Sequence, residues 1–83
     1  MTALKQPMVD ARFRVVKPNG TAIRAFRHAR KLTIRELGQQ TGRDYGHLAR
    51  IERGTAGAGE ETLRSIARVL QVPVAAINRE EMP

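Results

Sequence analysis

The sequence predicts an all-α domain of five short helices, preceded by a segment that is either a short strand or an extended arm. Three observations predict it. Apolar residues recur three and four apart through most of the chain after residue 20. Helix start and stop signals bracket these stretches, with Thr33 and Asp44 at starts and Gly42 and Gly54 at ends. Strand-like alternation is confined to one span near the N-terminus.

Met1 to Pro7 carries no period and is expected to be loose. In the next span Ala11, Phe13 and Val15 alternate with Arg12 and Arg14, a period of two. A packed strand would turn Phe13 and Val15 inward, whereas a free arm would leave them exposed; the packed strand is the preferred expectation. Pro18-Asn19-Gly20 ends the span as a turn, and residues 1–20 are read as a unit apart. Thr21 is expected to cap a first helix from Ala22 to about Lys31. Its apolar arc is centred on Ala22, Phe26 and Ala29 with Ile23 at the edge, opposite Arg24, His28 and Lys31.

The most informative stretch is Thr33 to Gly54, TIRELGQQTGRDYGHLARIERG. Thr33 and Glu36 have the spacing of a capping box, in which each side chain satisfies the other residue's backbone N–H. Leu37 and Gln40 follow at helical spacing until Gly42 interrupts. Asp44 then caps a second helix, where its carboxylate suits both the free N–H groups and the positive end of the dipole. Leu48 and Ile51 share one face, and Gly54 provides a left-handed end. Two short helices joined at a glycine-containing turn make a helix-turn-helix.

Thr55 to Gly59, TAGAG, is expected to be a mobile loop of small residues. Glu60 to Leu70 is the fourth helix, with acidic residues in its first turn and Leu63, Ile66, Ala67 and Leu70 on one stripe. Pro73 suits the first turn of a short fifth helix reaching about Ile77, and residues 79–83 form a tail.

Eighty-three residues make one small domain, near the lower size limit for a self-sufficient core. There is no cysteine, so neither a disulfide nor a thiolate metal site supplements that core. No apolar run is long enough to span a bilayer and no signal-peptide pattern opens the chain, so the expectation is a soluble cytoplasmic protein with no membrane partner. The net charge of +7 is unevenly placed: the chain through Gly54 carries +8 and the remainder −1. A basic half that coincides with the helix-turn-helix is what a phosphate-facing surface requires.

The motif resembles the Cro/C1-type, or XRE, family of phage-repressor-like helix-turn-helix proteins. Leu32-Thr33, Glu36-Leu37, Gly42, the run Arg50-Ile51-Glu52-Arg53-Gly54, Thr62-Leu63 and Ile66-Ala67 carry the resemblance, which spans about Ile23 to Ile77. It implies the five-helix fold over residues 21–78 and double-stranded DNA as partner, with residues 44–53 as the helix that enters the major groove. Base readout then falls to Tyr45, Gly46, His47 and Arg50. Arg50 leads, because its planar fork matches guanine O6 and N7. Backbone contacts fall to Arg24, His28, Lys31, Thr33, Arg35, Arg43, Asp44 and Arg53. The resemblance also implies a structural pair between Arg27 and Glu52, and alanine is favoured at the position of Gly38, where the motif helices cross. One departure stands out: many relatives have a phosphate-gripping glutamine after the Thr33 position, and this chain has Ile34. Arg35 or Arg43 is expected to supply the missing contact.

These features bound the function. The two histidines lie on separate helices, and no phosphate-cradling glycine loop or metal-ligand cluster appears, so neither an enzyme nor a cofactor is expected. The leading expectation is a transcriptional repressor of phage or bacterial type that binds a pseudo-palindromic operator as a homodimer, with Val72, Val74 and Ile77 as the dimer surface. The alternative is an autoregulating antitoxin that binds a toxin protein. Antitoxins often add a tail, whereas about six residues follow the last helix here.

Overall fold

The computed structural model describes residues 15–79. Strand β1 (Val15–Val16) leads into α1 (Gly20–Ala29), α2 (Ile34–Thr41) and α3 (Tyr45–Arg53); strand β2 (Ala58–Gly59), α4 (Glu60–Leu70) and a 3₁₀ turn (Val74–Ala76) follow. Among the described residues there are thus four α-helices, not five. The expected fifth is a single 3₁₀ turn behind Pro73, which has no backbone N–H to donate and stands as its extended N-cap.

Helix starts follow side-chain chemistry. Thr33 Oγ1 accepts from the Glu36 N–H at 3.0 Å while the Thr33 N–H donates to Glu36 Oε1 at 2.8 Å, which is the capping box. Asp44 Oδ2 accepts from the His47 N–H at 3.0 Å. At α1 the cap is Asn19, not Thr21: Asn19 Oδ1 accepts from the Ala22 N–H at 3.0 Å, so the helix begins at Gly20. At Gly59 no side chain caps α4.

The helix ends share one device. A residue in the left-handed region follows each helix: Lys31 (φ 57°), Gly42 (φ 72°), Gly54 (φ 83°) and Gln71 (φ 61°). The next N–H then returns to the carbonyl five residues back, in Leu32 to Arg27, Arg43 to Gly38, Thr55 to Arg50 and Val72 to Ala67. Two of the four stops are not glycine. Helix α1 consequently stops at Ala29, short of the expected Lys31.

Among the described residues, the large side chains sealed in the core are Ile23, Leu37, Leu48, Ile51, Leu63, Ile66, Leu70 and Ile77. The apolar centre of α1 is Ile23 rather than the Ala22–Phe26–Ala29 arc, since Ala29 is exposed and Phe26 half-buried. Ile77 has no exposed surface and belongs to the core, so it cannot serve as the expected dimer contact. Val72 and Val74 remain half-buried at the edge of that core.

In place of the expected mobile TAGAG loop, Ala58 and Gly59 pair antiparallel with Val16 and Val15. The expected N-terminal strand is thus present at Val15–Val16, and the rest of the alternating span, Phe13 included, lies outside the described residues. A second seam closes beside it. The Asn19 N–H donates to the Ile77 carbonyl at 2.8 Å and the Arg79 N–H to the Lys17 carbonyl at 2.7 Å. Arg79, expected in a frayed tail, is tied back to the start of the domain.

Candidate nucleic-acid interface

Helix α3 is positioned from both sides. Against α2 it packs at Gly38, where an added Cβ would come within 2.9 Å of the Arg43 carbonyl oxygen and 3.1 Å of Tyr45 Cβ. Against α1 it packs at Gly20, where a Cβ would run into the carbonyl oxygens of Ile51 and Glu52. The second approach is invisible in the sequence, in which Gly20 reads only as part of a turn. Leu48 and Ile51 hold the inner face in the core.

The outer end of α1 is locked to α3 by charge. Arg27 Nε donates to Glu52 Oε2 at 2.7 Å and Nη2 to Oε1 at 3.0 Å, a two-point fork. Its remaining nitrogen, Nη1, donates to the Leu32 carbonyl at 2.8 Å. The side chains are 11% and 7% exposed, so the charges are removed from water and are held by each other and by the backbone.

With its inner face and C-terminal half held, α3 offers Tyr45, Gly46, His47 and Arg50 along the first two turns, with Arg53 beyond. Tyr45 and Arg50 are exposed, while Gly46 and His47 are half-buried. The Arg35 guanidinium lies over the Tyr45 ring, 4.7 Å from its centroid. Arg35, Gly38, Gln39, Arg43, Asp44 and Tyr45 line one hollow of about 350 Å³ at the turn. Arg43 is half-buried there, with Nε enclosed and no hydrogen-bond partner for it among the described residues.

Sign of charge follows from how the acids are used. Glu36, Asp44 and Glu52 each accept from a backbone N–H or from Arg27. The carboxylate of Asp44 thus serves the start of α3 as its cap. Arg24, Arg35, Arg50 and Arg53 meanwhile face solvent. Arg24, His28 and Lys31 are exposed on and just after α1, and Thr33 is exposed at the start of α2. No hydrogen bond or ion pair joins Arg24, His28 or Lys31 to α3 among the described residues. Two further cations lie near the other end of α3: Lys17 and Arg79 border a hollow of about 430 Å³ with Gly54, Thr55, Ala56 and Gly57. Only the pairing of residues 15–19 with residues 58–59 and 77–79 brings them there, so no local pattern could have revealed them.

Among the described residues no group of three or more His, Cys, Asp or Glu side chains could hold a metal ion. No described helix is long and apolar enough to cross a membrane.

Residues 20–79 match the family model described as a helix-turn-helix domain. The chain belongs to this family, in its Cro/C1 (XRE) type. Among curated proteins this helix-turn-helix domain is similar to the HTH-type transcriptional regulator y4dL of Sinorhizobium fredii, at 36% identity over 61 residues, or 74% of this chain. The chain spans 31% of the length of that relative. Among solved structures the domain resembles the clp gene regulator ClgR of Corynebacterium glutamicum, with a TM-score of 0.65 and 36% identity over 68% of this chain and 60% of that one. It also resembles SinR, a master regulator of biofilm formation solved in complex with DNA, with a TM-score of 0.65 and 26% identity over 68% of this chain and 90% of that one.

Proposed function

We propose that this helix-turn-helix protein is a sequence-specific DNA-binding transcriptional repressor, with α3 lying in the major groove of a pseudo-palindromic operator. The observation that carries the reading is the composition of the solvent face of α3. Tyr45 and Arg50 are exposed at its start and centre, and the neighbouring acids Asp44 and Glu52 are each engaged within the protein. A polyanion meets arginine there without meeting a free carboxylate from either. In this arrangement Tyr45, Gly46, His47 and Arg50 address base edges. Arg24, His28, Lys31, Thr33, Arg35, Arg43 and Arg53 address the backbone, which fixes register and supplies most of the salt-dependent affinity.

A pseudo-palindrome requires two copies of α3 about 34 Å apart. Val72 and Val74, half-buried at the edge of the core, are the apolar residues proposed to meet a second copy. Val74→Asp should reduce cooperative operator binding and dimer mass in sedimentation while the monomer stays folded.

Selection of bound sites from random DNA tests the central reading. An enriched palindrome supports it, and enrichment of no motif rejects sequence-specific binding. With the enriched site in hand, Arg50→Ala should cost about 1–3 kcal/mol and relax preference at one base step per half-site. An equal loss on all sequences would make Arg50 a phosphate contact.

A further inference from the structure

We infer that Arg35 and Tyr45 act as one recognition unit, in which Arg35 grips a DNA phosphate with its edge while its face holds Tyr45 against a base. The inference rests on the reading of α3 as the groove-entering helix and adds a coupling between a backbone contact and a base contact. Its starting point is Ile34, which occupies the first position of α2 and packs half-buried against the core. An isoleucine side chain can secure the helix there but has no donor to offer a phosphate.

Arg35, one residue on, has the chemistry that Ile34 lacks. Its guanidinium stands 4.7 Å from the centroid of the Tyr45 ring, within the range of a cation–π contact. No hydrogen bond or ion pair engages it among the described residues. A guanidinium's donors lie in its plane, so one that lays its face on an aromatic ring keeps its N–H edge for an anion, and the 4.7 Å separation accommodates that stack. A phosphodiester, rich in acceptor oxygens, is the ligand that edge fits.

Tyr45 is restrained from below as well. Gly38 lies three residues after Arg35, on the same face of α2, and its missing side chain lets the Tyr45 backbone come so near that an added Cβ would sit 3.1 Å from Tyr45 Cβ. The residue is thus held at its backbone by Gly38 and at its ring by Arg35, yet remains 43% exposed. Arg43 is less suited to this role, because it is half-buried with its Nε enclosed. Arg35 is therefore a positioning residue for Tyr45 as well as a backbone contact, and phosphate binding and base preference should change together when it is altered.

The test uses full-length protein and the site selected from random DNA, with affinity measured as a function of salt and on every base at the step Tyr45 reads. Arg35→Ala should make the salt dependence shallower by about one in log–log slope. It should also reduce base preference at the Tyr45 step by about two- to fivefold. Arg35→Lys should keep the slope and lose the preference, because an ammonium retains the charge without the planar stack. In a Tyr45→Leu background, Arg35→Ala should still alter the slope but remove no further preference. If Arg35→Ala lowers affinity and slope while preference at that step is unchanged, Arg35 is a phosphate contact alone and the coupling is overturned. The coupling is equally overturned if Arg35→Lys behaves as the wild type in both readouts. A wild-type protein that selects no site overturns the DNA reading itself, and the coupling with it.

Discussion

The two ends of α3 are built on opposite plans. Its C-terminal end is locked: Glu52 is forked by Arg27, Gly20 lets α1 press on the Ile51 and Glu52 carbonyls, and Gly54 with Thr55 closes the last turn. Its N-terminal end is supported but open, with Tyr45 exposed beneath the Arg35 guanidinium and Asp44 supplying the cap. The difference separates a closed, stabilising end of the helix from an end whose side chains are left to solvent, where the proposed base contacts begin. A side chain at the open end can be exchanged without altering where the helix lies. At the locked end the reverse holds, because every partner there is backbone or a buried charge.

Substitutions can break that division or sharpen it. The largest effect should come from Glu52→Ala, which strands the Arg27 guanidinium in an environment where it is 11% exposed. Removing one partner of a buried pair costs about 3–5 kcal/mol, a large share of what a small domain has, so thermal unfolding should show a severe loss or no folded state. A fall in melting temperature of only a few degrees would mean that the lock is dispensable.

Gly20→Ala comes next. In an unencumbered helix the exchange would stabilise by about 1 kcal/mol. Here the new methyl meets two backbone oxygens that cannot rotate away, so the sign should reverse to a destabilisation of about 1–3 kcal/mol. A raised melting temperature would show that α1 and α3 can separate freely. A smaller cost is expected at the open end, where Asp44→Ala removes the acceptor for the His47 N–H and should cost about 1 kcal/mol by denaturant unfolding. Least of all, Tyr45→Ala should change stability by less than about 1 kcal/mol, the scale of one exposed cation–π contact, while altering DNA preference. A stability loss matching that of Gly20→Ala would erase the distinction between the two ends.

Much of the helix-turn-helix is legible in the sequence because its signals are local. Thr33 with Glu36, Asp44, Gly42 and Gly54 each act within a few residues, and the stripe of Leu63, Ile66, Ala67 and Leu70 follows helical period. The misreadings have an equally physical cause. Lys31 adopts left-handed backbone without being glycine, so nothing in its chemistry marks a stop, and the expected first helix runs past the true end at Ala29. Asn19 and Thr21 are both competent caps by chemistry, and local pattern does not distinguish them; the structure uses Asn19.

What the sequence determined by itself was the presence of the motif, the basic half of the chain and the capped starts of α2 and α3, since composition and short-range hydrogen bonding suffice for these. The tertiary structure alone decided the rest. Ile77 reads as spare apolar surface on a short helix and becomes fully buried core once the segment before α1 closes on it, with the Asn19 N–H bonded to its carbonyl. Ala58 and Gly59 form a strand because Val15 and Val16 lie alongside them. Arg35 meets Tyr45 only because α2 and α3 cross at a glycine. Each of these depends on contacts between residues far apart in sequence or on the angle between two helices, and neither quantity is written in any local pattern.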